Sequence, residues 1–253
     1  MNNISRNINQ KENKRMIFYF LPNTFTALNM ACGFTSIILS WRGDFYQAAL
    51  VLILGAIFDS VDGRVARLTG TQSSFGEQFD SLSDLISFGM APSLLIYNRF
   101  FLEAGRLGLV IAFIFVLCGA LRLARFNSSI EKVSSSFFQG LPIPGAAIAI
   151  VGYVLISLEF TILDDHVSVP MIYTLFYALL MISNIPFNSF KDSKFIKNHK
   201  KSILMIIFIL LALVFIYEQI MVVTIITLYV VSSIIYFFLH KGELKNVFEC
   251  KNE

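Results

Sequence analysis

Cysteine, histidine and charge are all scarce in this chain of 253 residues. Its three cysteines, Cys32, Cys118 and Cys250, lie far apart without pair spacing, which suggests neither a disulfide framework nor a thiolate metal site. The three histidines, His166, His199 and His240, are equally scattered and read as loop or interface residues. Charged residues make up 15% of the chain and the net charge is only +3, so a nucleic acid polymer is not an expected partner. No internal repeat or low-complexity tract is present. No cleavable signal peptide is evident either. The first fifteen residues are polar, and the apolar run after them starts with Pro22 and Asn23 and lacks a small-residue cleavage site.

What the chain has is apolar length. It is 56% hydrophobic with 26 phenylalanines, more apolar than a soluble domain. Runs near the ~20 residues that cross a bilayer recur along it. The expected fold is an all-α, polytopic membrane helical bundle of eight spans, at about 23–41, 46–66, 80–101, 106–125, 141–159, 168–185, 202–217 and 219–239. Basic residues orient it. With eight spans, one side collects Arg6, Lys11, Lys14, Arg15, Arg64, Arg67, Arg122, Arg125, Lys132, the lysines of 191–201 and those of the tail. The other side holds Arg42, Arg99 and Arg106 with Asp164 and Asp165. Both termini are then cytoplasmic, in a membrane expected to be a prokaryotic cell membrane. If 202–239 is instead one long broken segment, the C-terminus moves outward.

The expected organisation is a basic segment at 1–20, a core at 21–185, a basic cytoplasmic loop at 186–201, additional membrane helices at 202–240 and a tail at 241–253. Within the first segment, charges beside Ile17, Phe18, Tyr19 and Phe20 suggest an interfacial amphipathic helix, with a disordered basic tail the alternative for 1–12.

The most informative stretch is DSVDGRVARLTGTQSSFGEQFDSLSD, residues 59–84. Asp59 and Asp62 are three apart and Asp80 and Asp84 four apart, so each pair shares a helix face. The first pair closes one apolar run and the second opens another. A helix C-terminus disfavours the first pair and a helix N-terminus favours the second. Four converging carboxylates repel one another unless cations neutralise them, so they suggest a cage for hard divalent ions. Gly63, Ala66, Arg67 and Gly76 between the pairs suit a phosphate ligand that must come close. A lone aspartate at a helix end is usually a cap or a solvated charge; two spaced pairs on consecutive membrane helices are not explained that way.

Asp59, Asp62, Gly63, Ala66, Arg67, Gly76, Asp80 and Asp84 fit D-x2-D-G-x2-A-R-x8-G-x3-D-x3-D without a departure. In this the chain resembles the CDP-alcohol phosphatidyltransferases, over roughly residues 20–185. The resemblance implies a six-helix core, here with two additional C-terminal membrane helices, and a homodimer. It implies transfer of a phosphatidyl group from a CDP-linked lipid to an alcohol with release of CMP. It assigns two divalent cations, Mg or Mn, to Asp59, Asp62, Asp80 and Asp84, and makes Asp84 the general base. It places Gly63, Arg67 and, more weakly, Ser73 against the CDP group. No serine, cysteine or histidine is poised as a covalent nucleophile, so direct in-line transfer is the simpler chemistry.

Asn23, Thr24 and Thr26 open the first span, as caps after Pro22, as contacts to the CDP-lipid, or as both. Asn29, one turn deeper, faces the nucleotide pocket or bonds between helices. Arg122 and Arg125 end the fourth span on the aspartate side, with Asn127 just beyond. They are either a positive flank with snorkelling side chains or ligands for an anionic acceptor or the lipid phosphate. Gly140, Pro142, Pro144 and Gly145 hold backbone near that pocket or form a plain entry turn. With 79–89, these segments resemble the phosphatidylserine synthase branch, which implies CDP-diacylglycerol and L-serine as substrates. An arginine would pair serine's carboxylate; the sequence does not say which. Glycerol 3-phosphate or inositol phosphate is the alternative acceptor. A cation transporter is the alternative of another class.

Overall fold

The computed structural model describes residues 2–129, 137–160, 166–188 and 217–239. Helix α1 spans Asn2–Trp41 and α2 spans Phe45–Thr69. Helix α3 is one rod of four consecutive segments: α-helical Ser74–Asp84, π-helical Leu85–Met90, α-helical Ala91–Ile96 and π-helical Tyr97–Phe101. Helices α4 (Gly105–Ser129), α5 (Ile143–Glu159), α6 (Ser168–Ile182) and α7 (Glu218–Leu239) follow. The chain is an all-α, polytopic membrane bundle, as the composition predicts.

Among the described residues, three helices are long and apolar enough to cross a bilayer: Phe20–Trp41, Gly105–Ser128 and Gln219–Leu239. Helices α5 and α6 are apolar but shorter, and α2 and α3 carry the aspartates. Phe34, Leu54, Ile57, Phe113, Leu117, Ile172, Leu228 and Phe238 lie on the outside. So broad an apolar surface is a liability in water and a solvation match for lipid.

Small residues let the rods approach closely. A Cβ added to Gly33 would stand 2.6 Å from Ser87 Oγ, so α3 touches the α1 backbone there. Ser83 donates to the Thr26 carbonyl at 3.0 Å and Ser87 to the Asn29 carbonyl at 2.9 Å. These bonds tie the two helices in one register. The π-helical turns precede and follow the short segment containing Pro92, whose missing N–H interrupts the regular ladder. Gly152 packs against Val222 and Val223 and Gly145 against Ile226, so α7 runs antiparallel to α5, toward the aspartate end.

The structure departs from the sequence expectation at several points. The N-terminal segment continues into the first span without a break: α1 is unbroken from Asn2 through Pro22. Asn23, Thr24 and Thr26 are therefore interior residues and not caps. The Thr24 hydroxyl bonds back to the Phe20 carbonyl at 2.9 Å. Helix α2 runs three residues past the expected end, to Thr69, and closes on Gly70 at φ +65°, a left-handed cap that suits glycine. Helix α3 starts at Ser74, six residues early, because Ser73 caps it by accepting from the Gly76 N–H at 3.1 Å.

One short ribbon was not expected. Phe137–Gln139 (β1) pairs antiparallel with Pro186–Asn188 (β2), Phe138 opposite Phe187. Gly140 follows at φ +78°, so close to the Met181 carbonyl that no side chain fits. Lys132, Asp164, Asp165, the lysine-rich part of the 186–201 loop, the seventh span and the tail lie outside the described residues.

Candidate active site

Helices α2 and α3 bring the four aspartates together at one end of the bundle. Carboxylate oxygens of Asp59, Asp62 and Asp80 all lie within 4.8 Å of one another. Asp84 completes the group, its carboxyl within hydrogen-bonding reach of Asp59. Helix α1 supplies the polar wall. Thr26 Oγ1 donates to Asp62 Oδ2 at 2.9 Å, with the Pro22 carbonyl 3.2 Å from the same hydroxyl. Asn29, fully buried, reaches Asp84 Oδ1 through Nδ2 at a long 3.5 Å. It thus bonds between helices and faces the carboxylates at once.

The aspartates do not stand at the helix ends. Asp62 lies seven residues before the end of α2, and Asp80 lies six residues into α3. Helix-dipole effects are confined to the terminal turns, so they neither disfavour the first pair nor favour the second. Mutual repulsion dominates instead, on the order of a few kcal/mol per pair at an effective dielectric near 20. The donor set is all oxygen, which suits a hard divalent cation. Asp80 Oδ1 and Asn29 Oδ1 are buried with no hydrogen-bond partner among the described residues. Clustered carboxylates with an orphaned oxygen fit a bound cation, since such an oxygen is costly to leave unmatched.

Beside the carboxylates a cleft opens between α1, α2 and α3. Asn23, Thr26, Asp62, Gly63, Arg67, Ser73, Gly76 and Asp80 line it, with Thr71 and Gln72 from the connecting turn. A Cβ added to Gly63 would meet nothing within 4 Å, so the backbone there lies bare to whatever enters. Arg67, one turn further along α2, is exposed at the same mouth. All six residues expected to contact the CDP-lipid thus border the cleft or its carboxylates: Asn23, Thr26, Asn29, Gly63, Arg67 and Ser73. Ser73 has a structural task as well, as the α3 cap.

The two arginines of α4 separate. Arg122 is 8% exposed, and its Nε has no hydrogen-bond partner among the described residues. Its guanidinium feels the charge of Asp84. Arg125 turns instead to the end of α6. Its Nη2 donates to the Gln139 carbonyl at 2.9 Å and lies 3.4 Å from the Met181 and Ser183 carbonyls. Its Nη1 donates to the Ile182 carbonyl at 3.3 Å. Asn127 donates to Ser81 Oγ at 2.9 Å, fixing α4 against α3.

A family profile for CDP-alcohol phosphatidyltransferase matches residues 19–181, more than half of the chain. The chain belongs to this family. It is 41% identical over 199 residues to a Helicobacter pylori protein named CDP-diacylglycerol–serine O-phosphatidyltransferase, covering 78% of this chain and 82% of that one. It is 42% identical over 171 residues to a Methanocaldococcus jannaschii protein of the same name, covering 68% and 75%. An archaetidylserine synthase of Methanothermobacter thermautotrophicus is 37% identical over 172 residues, covering 67% and 70%. Membership makes the protein an enzyme of phospholipid biosynthesis and sets the transporter reading aside.

In this phosphatidyltransferase some site features escaped the sequence reading. The Ser83 and Ser87 bonds to α1 had a signal: two serines four apart, on the face that also carries Asp80 and Asp84. Arg125's attachment to β1 and α6 had none, because its carbonyl partners lie 14 to 58 residues away. Tyr229 of α7, whose ring lies 5.7 Å from that of Phe187 in β2, was missed as well; an apolar helix gives no pattern that marks one tyrosine.

Proposed function

We propose that this protein transfers the phosphatidyl group of CDP-diacylglycerol to the hydroxyl of L-serine, giving phosphatidylserine and CMP. The observation that carries this reading is the convergence of four aspartates beside a cleft with bare backbone at Gly63 and a cation at Arg67. The names of the relatives support serine as the acceptor. Their bacterial and archaeal sources support a prokaryotic cell membrane, with the aspartate end cytoplasmic. A homodimer is part of the proposal, as the family resemblance implies.

The chain's own residues divide the work. Gly63 lets the nucleotide lie against the helix, and Arg67 pairs with phosphate oxygens at the mouth. Asn23 and Ser73 border the same cleft. Asp59, Asp62, Asp80 and Asp84 would hold two divalent cations, Mg or Mn. Bound there, the ions supply stabilisation of charge on the attacking and leaving oxygens. Thr26 fixes the Asp62 carboxylate and Asn29 steadies Asp84. Asp84 takes the proton of the serine hydroxyl as general base. The hydroxyl oxygen bonds to the lipid-side phosphorus, the bond from that phosphorus to the bridging oxygen breaks, and CMP leaves with the electron pair. Arg122, buried and facing Asp84, holds the serine carboxylate.

Purified protein given CDP-diacylglycerol and Mg or Mn should release CMP with serine, and far less with glycerol 3-phosphate or inositol phosphate. Preference for a phosphorylated acceptor would replace serine within the same family. No acceptor-dependent CMP release at all would overturn the proposal.

A further inference from the structure

Helix α7 lies wholly beyond residues 19–181, the segment matched by the family profile, yet it packs along α5 toward the aspartate end of the bundle. Val222, Ile226, Val230 and Ser233 are buried on one face of it. Gly145 and Gly152 of α5 admit that face; a Cβ added to Gly152 would stand 2.9 Å from Val223 Cγ2. Tyr229 belongs to this inward stripe and is half-buried. Its ring sits 5.7 Å from that of Phe187, the central residue of β2, so the phenol is held from the side. Tyr229 and the Arg122 guanidinium interact electrostatically. Arg122 is the group that needs an explanation: a cation over nine-tenths buried whose Nε has no hydrogen-bond partner among the described residues. Such a donor is retained where a ligand satisfies it.

We infer that α7 completes the acceptor pocket, with the Tyr229 hydroxyl and the Arg122 guanidinium together binding the acceptor's carboxylate. This rests on the acceptor reading proposed above and sharpens it. One guanidinium and one neutral O–H suit a planar group with a single negative charge. A phosphate dianion would call for a second cation, and the next one along α4, Arg125, is turned onto backbone carbonyls. The extra helix is thus a specificity element, selecting a carboxylate-bearing alcohol over a phosphorylated one.

The test is Tyr229→Phe, which keeps the ring and its packing on Phe187 and removes only the hydroxyl. The expected result is a KM for serine raised about tenfold, kcat within about twofold, and an unchanged KM for CDP-diacylglycerol. The preference for serine over serinamide should shrink by a similar factor, because the amide carries no charge to recognise. An unchanged serine KM and preference, or an equal rise in both KM values with a lowered thermal midpoint, would reduce Tyr229 to a packing residue and overturn the inference. The two levels fail separately. If the unmodified protein prefers glycerol 3-phosphate, the serine proposal falls, and the carboxylate pocket with it. If it uses serine and Tyr229→Phe is silent, only the inference falls.

Discussion

The aspartate corner and the Arg125 corner lie at the same end of the bundle and treat charge in opposite ways. Around Arg125, guanidinium nitrogens meet carbonyls of Gln139, Met181, Ile182 and Ser183, and Gln139 Nε2 donates to Asn184 Oδ1 at 2.9 Å. The charge is spent on closing the end of α6 and tying in the β1–β2 ribbon. Around Asp80, like charges crowd together and a buried carboxylate oxygen has no donor among the described residues. Such crowding is relieved by protonation or by a cation from outside the chain, and the proposed divalent ions supply the second. Arg122 and Arg125, three residues apart on α4, fall on either side of this division. Self-satisfied polar clusters hold a fold together; unsatisfied ones mark where it meets its ligands.

Substitutions can break that comparison, beginning with the largest effect. Asp62→Asn or Asp80→Asn should leave the protein inserted and folded but lower transfer below a tenth of wild type, even in excess Mg or Mn. Activity above that level would mean the corner does not depend on cations. Next comes Asp84→Asn, for which turnover should fall on the order of a hundredfold while the KM for CDP-diacylglycerol changes little. Intact turnover with a raised KM would make Asp84 a ligand and not a base.

The arginines give a sharper contrast at smaller amplitude. Arg122→Lys keeps the charge but loses the planar fork, and should raise the KM for serine about tenfold. Arg125→Lys should leave that KM alone and lower the thermal midpoint in detergent by roughly 5 °C, as carbonyl bonds worth about 1 kcal/mol each are lost. The reverse pattern would exchange their roles. Smallest is Thr26→Val, which removes one donor from Asp62 and should cost about fivefold in turnover. No change would leave Thr26 a packing residue.

Much of the site was legible because it is local. Asp59 to Asp84 form one hairpin, where helical spacing alone says which residues share a face. The helix ends differ from the expected ones because an apolar run does not set the length of a helix, whereas Gly70 and Ser73 set the actual boundaries. Pro22 and the threonines after it read as a helix start, yet α1 continues through them, packed along α2 and α3. The all-α bundle followed from composition. The β1–β2 ribbon did not, since it joins residues about fifty apart around a glycine at positive φ. The division between Arg122 and Arg125 was equally hidden. Both end the same helix, and only the tertiary position of the α6 terminus decides which one is consumed by the fold.

The central claim, that the aspartate corner is completed by cations and the Arg125 corner by the chain itself, is most directly tested by Mn binding to the purified protein without substrates. Wild type and Arg125→Lys should both bind Mn at a common stoichiometry, and Asp80→Asn should lose at least one site. Mn binding that is absent from wild type, or unaltered by Asp80→Asn, would contradict the account.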